Sequence, residues 1–211
     1  YCKRAVAQDM ADVMATLGHR QFAVAAHDRG ARVGHRLALD HPQAVTRLAL
    51  LDIVPTREMF ANVNRSTATS AWHWFFMIQP EPLPERLMGG DVDWFIRYRF
   101  PNRAPGDVFT PEALDEYARC FTQAAILAMC EDYRAAATID LVHDEADFGV
   151  RQVGCPLLVL WGERGGARGR DVLGLWRQYA VDVRGREFPS GHFLAEEIPD
   201  QIAAELLNFL A

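Results

Sequence analysis

An apolar run, Phe22-Ala23-Val24-Ala25-Ala26, leads without a linker into His27-Asp28-Arg29-Gly30, and a segment of helical periodicity follows. A strand that passes directly into a helix must turn within one or two residues. The residue at such a corner sits on a tight, strained bend with its side chain exposed at the end of the sheet, which is where a nucleophile is best presented. The corner residue is Asp28, neither Ser nor Cys. A carboxylate in this place attacks carbon and forms an ester that must itself be hydrolysed. This points away from ordinary ester cleavage and towards displacement at carbon.

The remaining pattern supplies the frame for that corner. Val6, Met10, Val13, Met14 and Leu17 recur at helical spacing and read as core residues of a first helix that stops at Gly18. The strand over 22–26 precedes a helix predicted from about 31 to 40, ended by His41-Pro42. Residues 48–51 form a second short apolar run, as in buried parallel strands, with Asp52 at its end. Helix, strand, helix, strand is the grammar of a doubly wound α/β sheet. From about Val54 to Gln152 no strand-like run stands out. Aromatic helical segments are predicted over 71–78, 91–100, 111–121 and 123–137, interrupted by the Pro-rich stretch 79–84. A buried strand returns over 155–162, and Val172, Leu175, Trp176 and Tyr179 mark one face of a helix. Residues 181–188 read as a more polar strand nearer the sheet edge, 190–193 as a loop, and 198–210 as a closing helix with Pro199 in its first turn. The expected fold is therefore α/β, with a mostly parallel sheet. Its core is formed by residues 1–54 and 153–211, and residues 55–152 form an inserted all-helical cap.

Half of the 211 residues are apolar, enough for one domain with a real core. No apolar run approaches the roughly 20 residues that span a bilayer, and no signal peptide is recognisable, so a membrane location is not expected. A net charge of −6 argues against bulk nucleic-acid binding. Cys2, Cys120, Cys130 and Cys155 have neither zinc-like spacing nor disulfide-scaffold density. They read as reduced thiols of a cytoplasmic protein with no metal and no cofactor.

Three residues fall at strand ends or in the last loop, in the order Asp28, Asp52, His192. Their types form a nucleophile–acid–base set. Asp28 would displace a leaving group, His192 would take a proton from the water that attacks the ester, and Asp52 would hold the imidazole tautomer. Taken singly, Asp52 reads equally as a helix cap or turn residue, and His192 as a surface histidine. Asp171 and Glu163 compete for the acid role.

The segment from His27 to Arg32, continued by His35-Arg36-Leu37-Ala38, resembles the fluoroacetate (haloacetate) dehalogenases of the α/β-hydrolase superfamily. Asp52-Ile53-Val54-Pro55-Thr56, Trp72-His73-Trp74-Phe75-Phe76, Cys130-Glu131-Asp132-Tyr133-Arg134-Ala135 and Ser190-Gly191-His192-Phe193 extend the resemblance along the whole chain. The resemblance implies hydrolytic dehalogenation of short 2-haloacids, with a haloacid anion and water as the small-molecule partners. It also implies that His73, Trp74 and Tyr133 hold the halide; without it, Trp74 and Tyr133 read as packing residues, as Trp72 does. The physical reading of the arginines agrees. A haloacetate carries a carboxylate beside the carbon under attack, and Arg29 and Arg32, three residues apart on one helix face, can bind it.

Two departures from the family pattern matter. Position 31 is Ala where Gly is usual. Strands that in the family precede the first helix, with a second oxyanion-hole amide, have no counterpart here, so the chain reads as a fragment of low stability and low activity. The alternative functions are an epoxide hydrolase, for which Tyr98, Tyr117 and Tyr133 are available, and an inactive hydrolase-like protein. Arg29 and Arg32 speak against the first, because haloalkane dehalogenases and epoxide hydrolases typically have Trp after the nucleophile and an epoxide has no charge to bind. A homodimer is left open.

Overall fold

The computed structural model describes residues 1–100 and 108–211. Helix α1 (Lys3–Thr16) precedes strand β1 (Phe22–His27), helix α2 (Asp28–Asp40) and strand β2 (Val45–Leu51). A run of helices follows: α3 (Thr56–Ala61), α4 (Arg65–Ser70), α5 (Trp72–Met77), α6 (Leu83–Gly89), α7 (Val92–Arg99), α8 (Pro111–Cys120), α9 (Gln123–Ala137) and α10 (Ile139–Asp147). The chain then returns through β3 (Leu157–Gly162), α11 (Val172–Trp176), β4 (Val183–Phe188), α12 (Leu194–Glu197) and α13 (Pro199–Leu210).

The four strands form one sheet in the order β1-β2-β3-β4, all neighbours parallel. Both faces of a parallel sheet are covered, so its central strands are apolar throughout. The alternation of side chains shows how. Leu48, Leu50, Leu157 and Val159 face a core shared with Ala7, Ala31, Leu37 and Trp176, while Ala49, Leu51, Leu158 and Leu160 face a second core with Ile202 and Phe209 of α13. Because every strand runs the same way, their C-terminal ends share one edge, the edge where open α/β sheets place their sites.

The helical stretch has an apolar core of its own, built on Trp74, Met77, Met88, Phe95, Ile126, Cys130 and Tyr133. It is tied to the sheet layer by buried charge. Arg36 of α2 pairs with Asp144 at 2.8 Å and with Asp147, both on α10. Among the described residues no helix is long and apolar enough to cross a membrane.

The elements depart from expectation in physically instructive ways. The helix expected over 71–78 is α5, Trp72–Met77, and the unforeseen α4 precedes it, separated at Ala71 and started by an Asn64–Thr67 capping box. Helices α3, α6 and α10 were not foreseen, because six to nine residues carry too few apolar repeats to register a period. Met10 is not a core residue. Helix α1 packs through Lys3, Ala7 and Ala11, whereas Met10, Val13 and Leu17 are exposed. Small side chains let α1 lie close on α2, and that contact overrides the apolar stripe.

Candidate active site

β1 ends at His27 and α2 begins at Asp28, so the corner contains no loop residue. Among the described residues the non-glycine positions with positive φ are Asp28 at +47° and Asp52 at +49°. Left-handed backbone costs an L-residue about 1–2 kcal/mol, though Asp tolerates it better than most. Each aspartate directly follows a strand, β1 or β2, and the left-handed step turns each side chain out beyond the sheet edge. Strain held at two adjacent strand ends is characteristic of functional corners.

The loop after β4 brings His192 between the two carboxylates. Its Nδ1 lies 2.6 Å from Asp52 Oδ2, and its Nε2 lies 3.6 Å from Asp28 Oδ2. Asp52 is buried and accepts further hydrogen bonds from the backbone N–H groups of Gly162 at 3.1 Å and Gly166 at 2.7 Å. Gly165 permits this approach, since a Cβ there would overlap the Asp52 carboxylate. With two amides on Asp52, its remaining strong interaction is with the imidazole, and His192 Nδ1–H is held toward it. His27 supports the same loop: its Nε2–H donates to the His192 carbonyl at 2.8 Å. Burial and the neighbouring His192 charge lower the His27 pKa, keeping that ring neutral.

Asp171 and Glu163 lie in other roles. Asp171 caps α11 by accepting from Gly174 N at 2.9 Å, and Glu163 pairs with Arg164.

The electrostatics of the trio are coupled. Burial works against a charged His192, but hydrogen bonds and charge from Asp28 and Asp52 outweigh it and push its pKa up to about 9. Burial likewise works against charge on Asp28. The His192 hydrogen bond and charge, followed by Arg32 and Arg29, nevertheless hold its carboxyl far below the usual carboxylate range. These interactions favour a protonated His192 beside an ionised Asp28 at neutral pH.

Both arginines flank Asp28. Arg32 is buried, and its Nη1 donates to the Val54 carbonyl and Thr56 Oγ1, each at 3.0 Å. Burial and Arg29 lower its pKa to about 10, so it remains charged at neutral pH. Arg29 donates from Nη2 to the Asp132 carbonyl at 2.9 Å and also pairs with the Asp132 carboxylate. Two donors are buried with no hydrogen-bond partner among the described residues: Arg29 Nη1 and Arg32 Nε.

The aromatic residues close the other side. The Trp74 ring lies 5.0 Å from the Arg29 guanidinium and 4.5 Å from that of Arg32, and the Tyr133 ring lies 4.1 Å from Arg29. Trp74 and Tyr133 meet edge to face at 5.4 Å, and His73 meets Tyr133 at 5.9 Å. His73 Nδ1 is a further buried polar atom without a hydrogen-bond partner among the described residues. Burial, then Arg99, lowers its pKa to about 3, so His73 is neutral. All eight residues singled out from the sequence therefore converge on one region. Tyr98 and Tyr117 do not join them: Tyr98 stacks on Trp94, and Tyr117 donates to Glu196 Oε1 at 2.6 Å. Trp72 packs against Phe76 and Tyr98.

Sequence reasoning missed the residues that support this group: His27, Thr56, Gly165, Gly166 and Asp132. A glycine pair after a strand is a weak signal, and nothing in the spacing relates Asp132 to Arg29. Among the described residues no group of three or more His, Cys, Asp or Glu side chains is arranged to hold a metal ion.

This fold, with its strained corner at the strand ends, defines a hydrolase framework, and the chain belongs to the α/β-hydrolase fold family, whose profile matches residues 1–199. Within that family it is 44% identical to a fluoroacetate dehalogenase from Burkholderia sp., covering 100% of this chain and 70% of that protein. A solved structure from Nostoc sp PCC 7120, provisionally described as an α/β hydrolase, superposes with a TM-score of 0.95 at 52% identity, covering 100% of this chain and 73% of the other. A soluble epoxide hydrolase from Corynebacterium sp. (strain C12) is 27% identical, over 99% of this chain and 73% of its own length. The resemblance read from the sequence motifs is borne out by the match to the dehalogenase over the whole of this chain.

Proposed function

We propose that this site hydrolyses short 2-haloacids through an aspartyl ester. The observation that carries the reading is the pair of buried, unpartnered guanidinium donors, Arg29 Nη1 and Arg32 Nε, beside the Asp28 carboxylate. A buried donor without a partner costs about 1–3 kcal/mol. A substrate carboxylate satisfies both donors at once, and each guanidinium binds such a group well. An epoxide offers them nothing; of the three tyrosines, Tyr98 stacks on Trp94 and Tyr117 donates to Glu196, and Tyr133, which stands at the site, lies under the Arg29 guanidinium.

In the proposed sequence the haloacetate carboxylate rests on Arg29 and Arg32, with its halogen towards His73, Trp74 and Tyr133. An Asp28 oxygen attacks the α-carbon, the carbon–halogen bond breaks, and halide leaves with the electron pair. Hydrogen-bond donors aimed at the departing halide stabilise the charge that develops there. Esterification removes the Asp28 charge, one of the causes that raise the His192 pKa. His192 then releases its proton to solvent more readily and becomes competent to take one from water. That water attacks the Asp28 ester carbonyl as His192 takes its proton, the ester C–O bond breaks, and the hydroxyl proton of the resulting Asp28 carboxyl passes to the departing glycolate oxygen, which regenerates the carboxylate and leaves His192 protonated. Asp52 holds the imidazole and offsets its charge when it is protonated.

In this reading residues 55–152 are a cap over the sheet edge. The four cysteines are unpaired, which suits a reducing, cytoplasmic setting. A single turnover in heavy-oxygen water tests the proposal. The label is expected in the Asp28 carboxylate, because water attacks the enzyme ester; label in the first-turnover glycolate with Asp28 unlabelled would exclude the ester.

A further inference from the structure

The two arginines beside Asp28 are held by different chemistry. Arg32 is bonded to neutral oxygens, the Val54 carbonyl and Thr56 Oγ1. Arg29 is clamped by a single residue, Asp132: its Nε donates to the side chain and its Nη2 to the backbone carbonyl. Asp132 thereby engages one edge of the guanidinium fork and leaves Nη1 as the unpartnered donor. The next residue, Tyr133, lies under the guanidinium face at 4.1 Å. One turn of α9 therefore fixes both the edge and the face of Arg29.

Asp132 is fixed in turn. Its Oδ1 receives Lys3 Nζ, and the Lys3 side chain is only 4% accessible. Lys3 is backed by Asp140, whose Oδ1 accepts the Lys3 backbone N–H at 2.8 Å and whose Oδ2 lies 3.6 Å from Nζ. A run of alternating charge, Asp140–Lys3–Asp132–Arg29, thus links α10, α1 and α9 to the corner. A charge that is both buried and paired in this way has little freedom to rotate.

We infer that Asp132 is a positioning residue for substrate binding: by consuming the Nε/Nη2 edge of Arg29 it leaves Nη1 directed, together with Arg32 Nε, at the carboxylate of a monoanionic haloacid. The inference rests on the haloacid reading of the site. It adds that affinity for the carboxylate, more than the rate of displacement, is set by a residue that touches neither substrate nor Asp28. Asp132→Ala releases the fork, whereas Asp132→Asn keeps the shape and an acceptor oxygen and loses the charge.

The test compares the two variants with the parent enzyme. It reads KM and kcat for chloroacetate, and the inhibition constant of acetate, a carboxylate with no leaving group. Turnover of chloroacetate by the parent is the control for the haloacid reading, so its absence would count against that reading and not against Asp132. For Asp132→Ala, KM and the acetate constant are expected to rise together by about tenfold or more, the size of one lost charged contact, while kcat moves much less. Asp132→Asn is expected to fall between this variant and the parent and to melt nearer the parent than Asp132→Ala, which leaves Lys3 and Arg29 without their shared carboxylate. Inhibition by chloride ion is expected to be unchanged, because the halide side is untouched. An unchanged acetate constant, or a fall in kcat with KM unaltered, would overturn the inference and leave Asp132 as a tie between helices. If Asp132→Ala fails to fold, the same outcomes are read from Asp132→Asn.

Discussion

Asp28, Asp52 and His192 hang from strand ends and the loop after β4, whereas His73, Trp74 and Tyr133 project from helices α5 and α9. The two groups are positioned by different means. Backbone fixes the first: two left-handed aspartates, two amide donors on Asp52 and a histidine carbonyl bonded by His27. Side-chain packing fixes the second, through edge-to-face rings and guanidinium groups lying over them. Backbone geometry at a parallel sheet edge is common to many sequences, so it suits chemistry that is reused. Aromatic packing depends on which residues are present, so it suits the choice of substrate. Arg29 and Arg32 belong to both groups, because the corner helix carries them and the helical layer covers them.

If this division of labour is right, damage to the sheet edge should stop a chemical step, and damage to the helical layer should change preference among substrates. The largest effect is expected for His192→Asn. Halide should still be released once per site, because ester formation needs only Asp28, but turnover should fall by about 10³-fold or more. A rapid-quench burst followed by near-silence is the expected trace; full turnover would remove His192 from the mechanism.

Arg32→Leu comes next. Losing a charge contact in a closed site costs about 2–5 kcal/mol, so kcat/KM for chloroacetate should fall by roughly 30-fold or more while the melting temperature moves little. Near-normal kcat/KM would make Arg32 structural.

The pH response should separate the two steps. The Asp28 pKa is depressed, so its carboxylate stays ionised as pH falls through the ordinary carboxylate range, and the halide burst should be the same at pH 5.5 and pH 8. The raised pKa of His192 comes from Asp28 and Asp52 together. In the ester the Asp28 contribution is lost while that of Asp52 remains, so the pKa falls from about 9 towards the ordinary value, and steady-state turnover should drop by about tenfold or more between pH 8 and pH 5.5. A burst that fades together with turnover would break the proposed coupling.

The smallest effect concerns the leaving group. Fluoride is a poor leaving group and needs donors most. Trp74→Phe removes one N–H, and kcat for fluoroacetate should fall a few-fold further than kcat for bromoacetate. Equal losses for both halides would assign Trp74 to packing alone.

Much of the site was legible in the sequence because its residues obey local rules. An apolar run broken by Asp28 marks a strand end, as does Asp52 after 48–51, and Arg29 and Arg32 share a helix face at a spacing of three. The unbroken apolar runs Leu48 to Leu51 and Leu157 to Leu160 already pointed to a sheet buried on both faces. What the sequence left open was decided by contacts between residues far apart in the chain. The carboxylate that meets His192 Nδ1 is Asp52 and not Asp171: the Gly162 and Gly166 amides hold Asp52, while Asp171 is used at the start of α11. Met10 is exposed because α1 sits on α2 through Ala7 and Ala11. The clamp of Asp132 on Arg29 spans 103 positions, and no local periodicity reports such a pairing. Periodicity and turn chemistry are properties of neighbours in sequence, and they determine strands, corners and faces. Which charge meets which across the sheet edge depends on how the layers pack, and only the tertiary structure decides it.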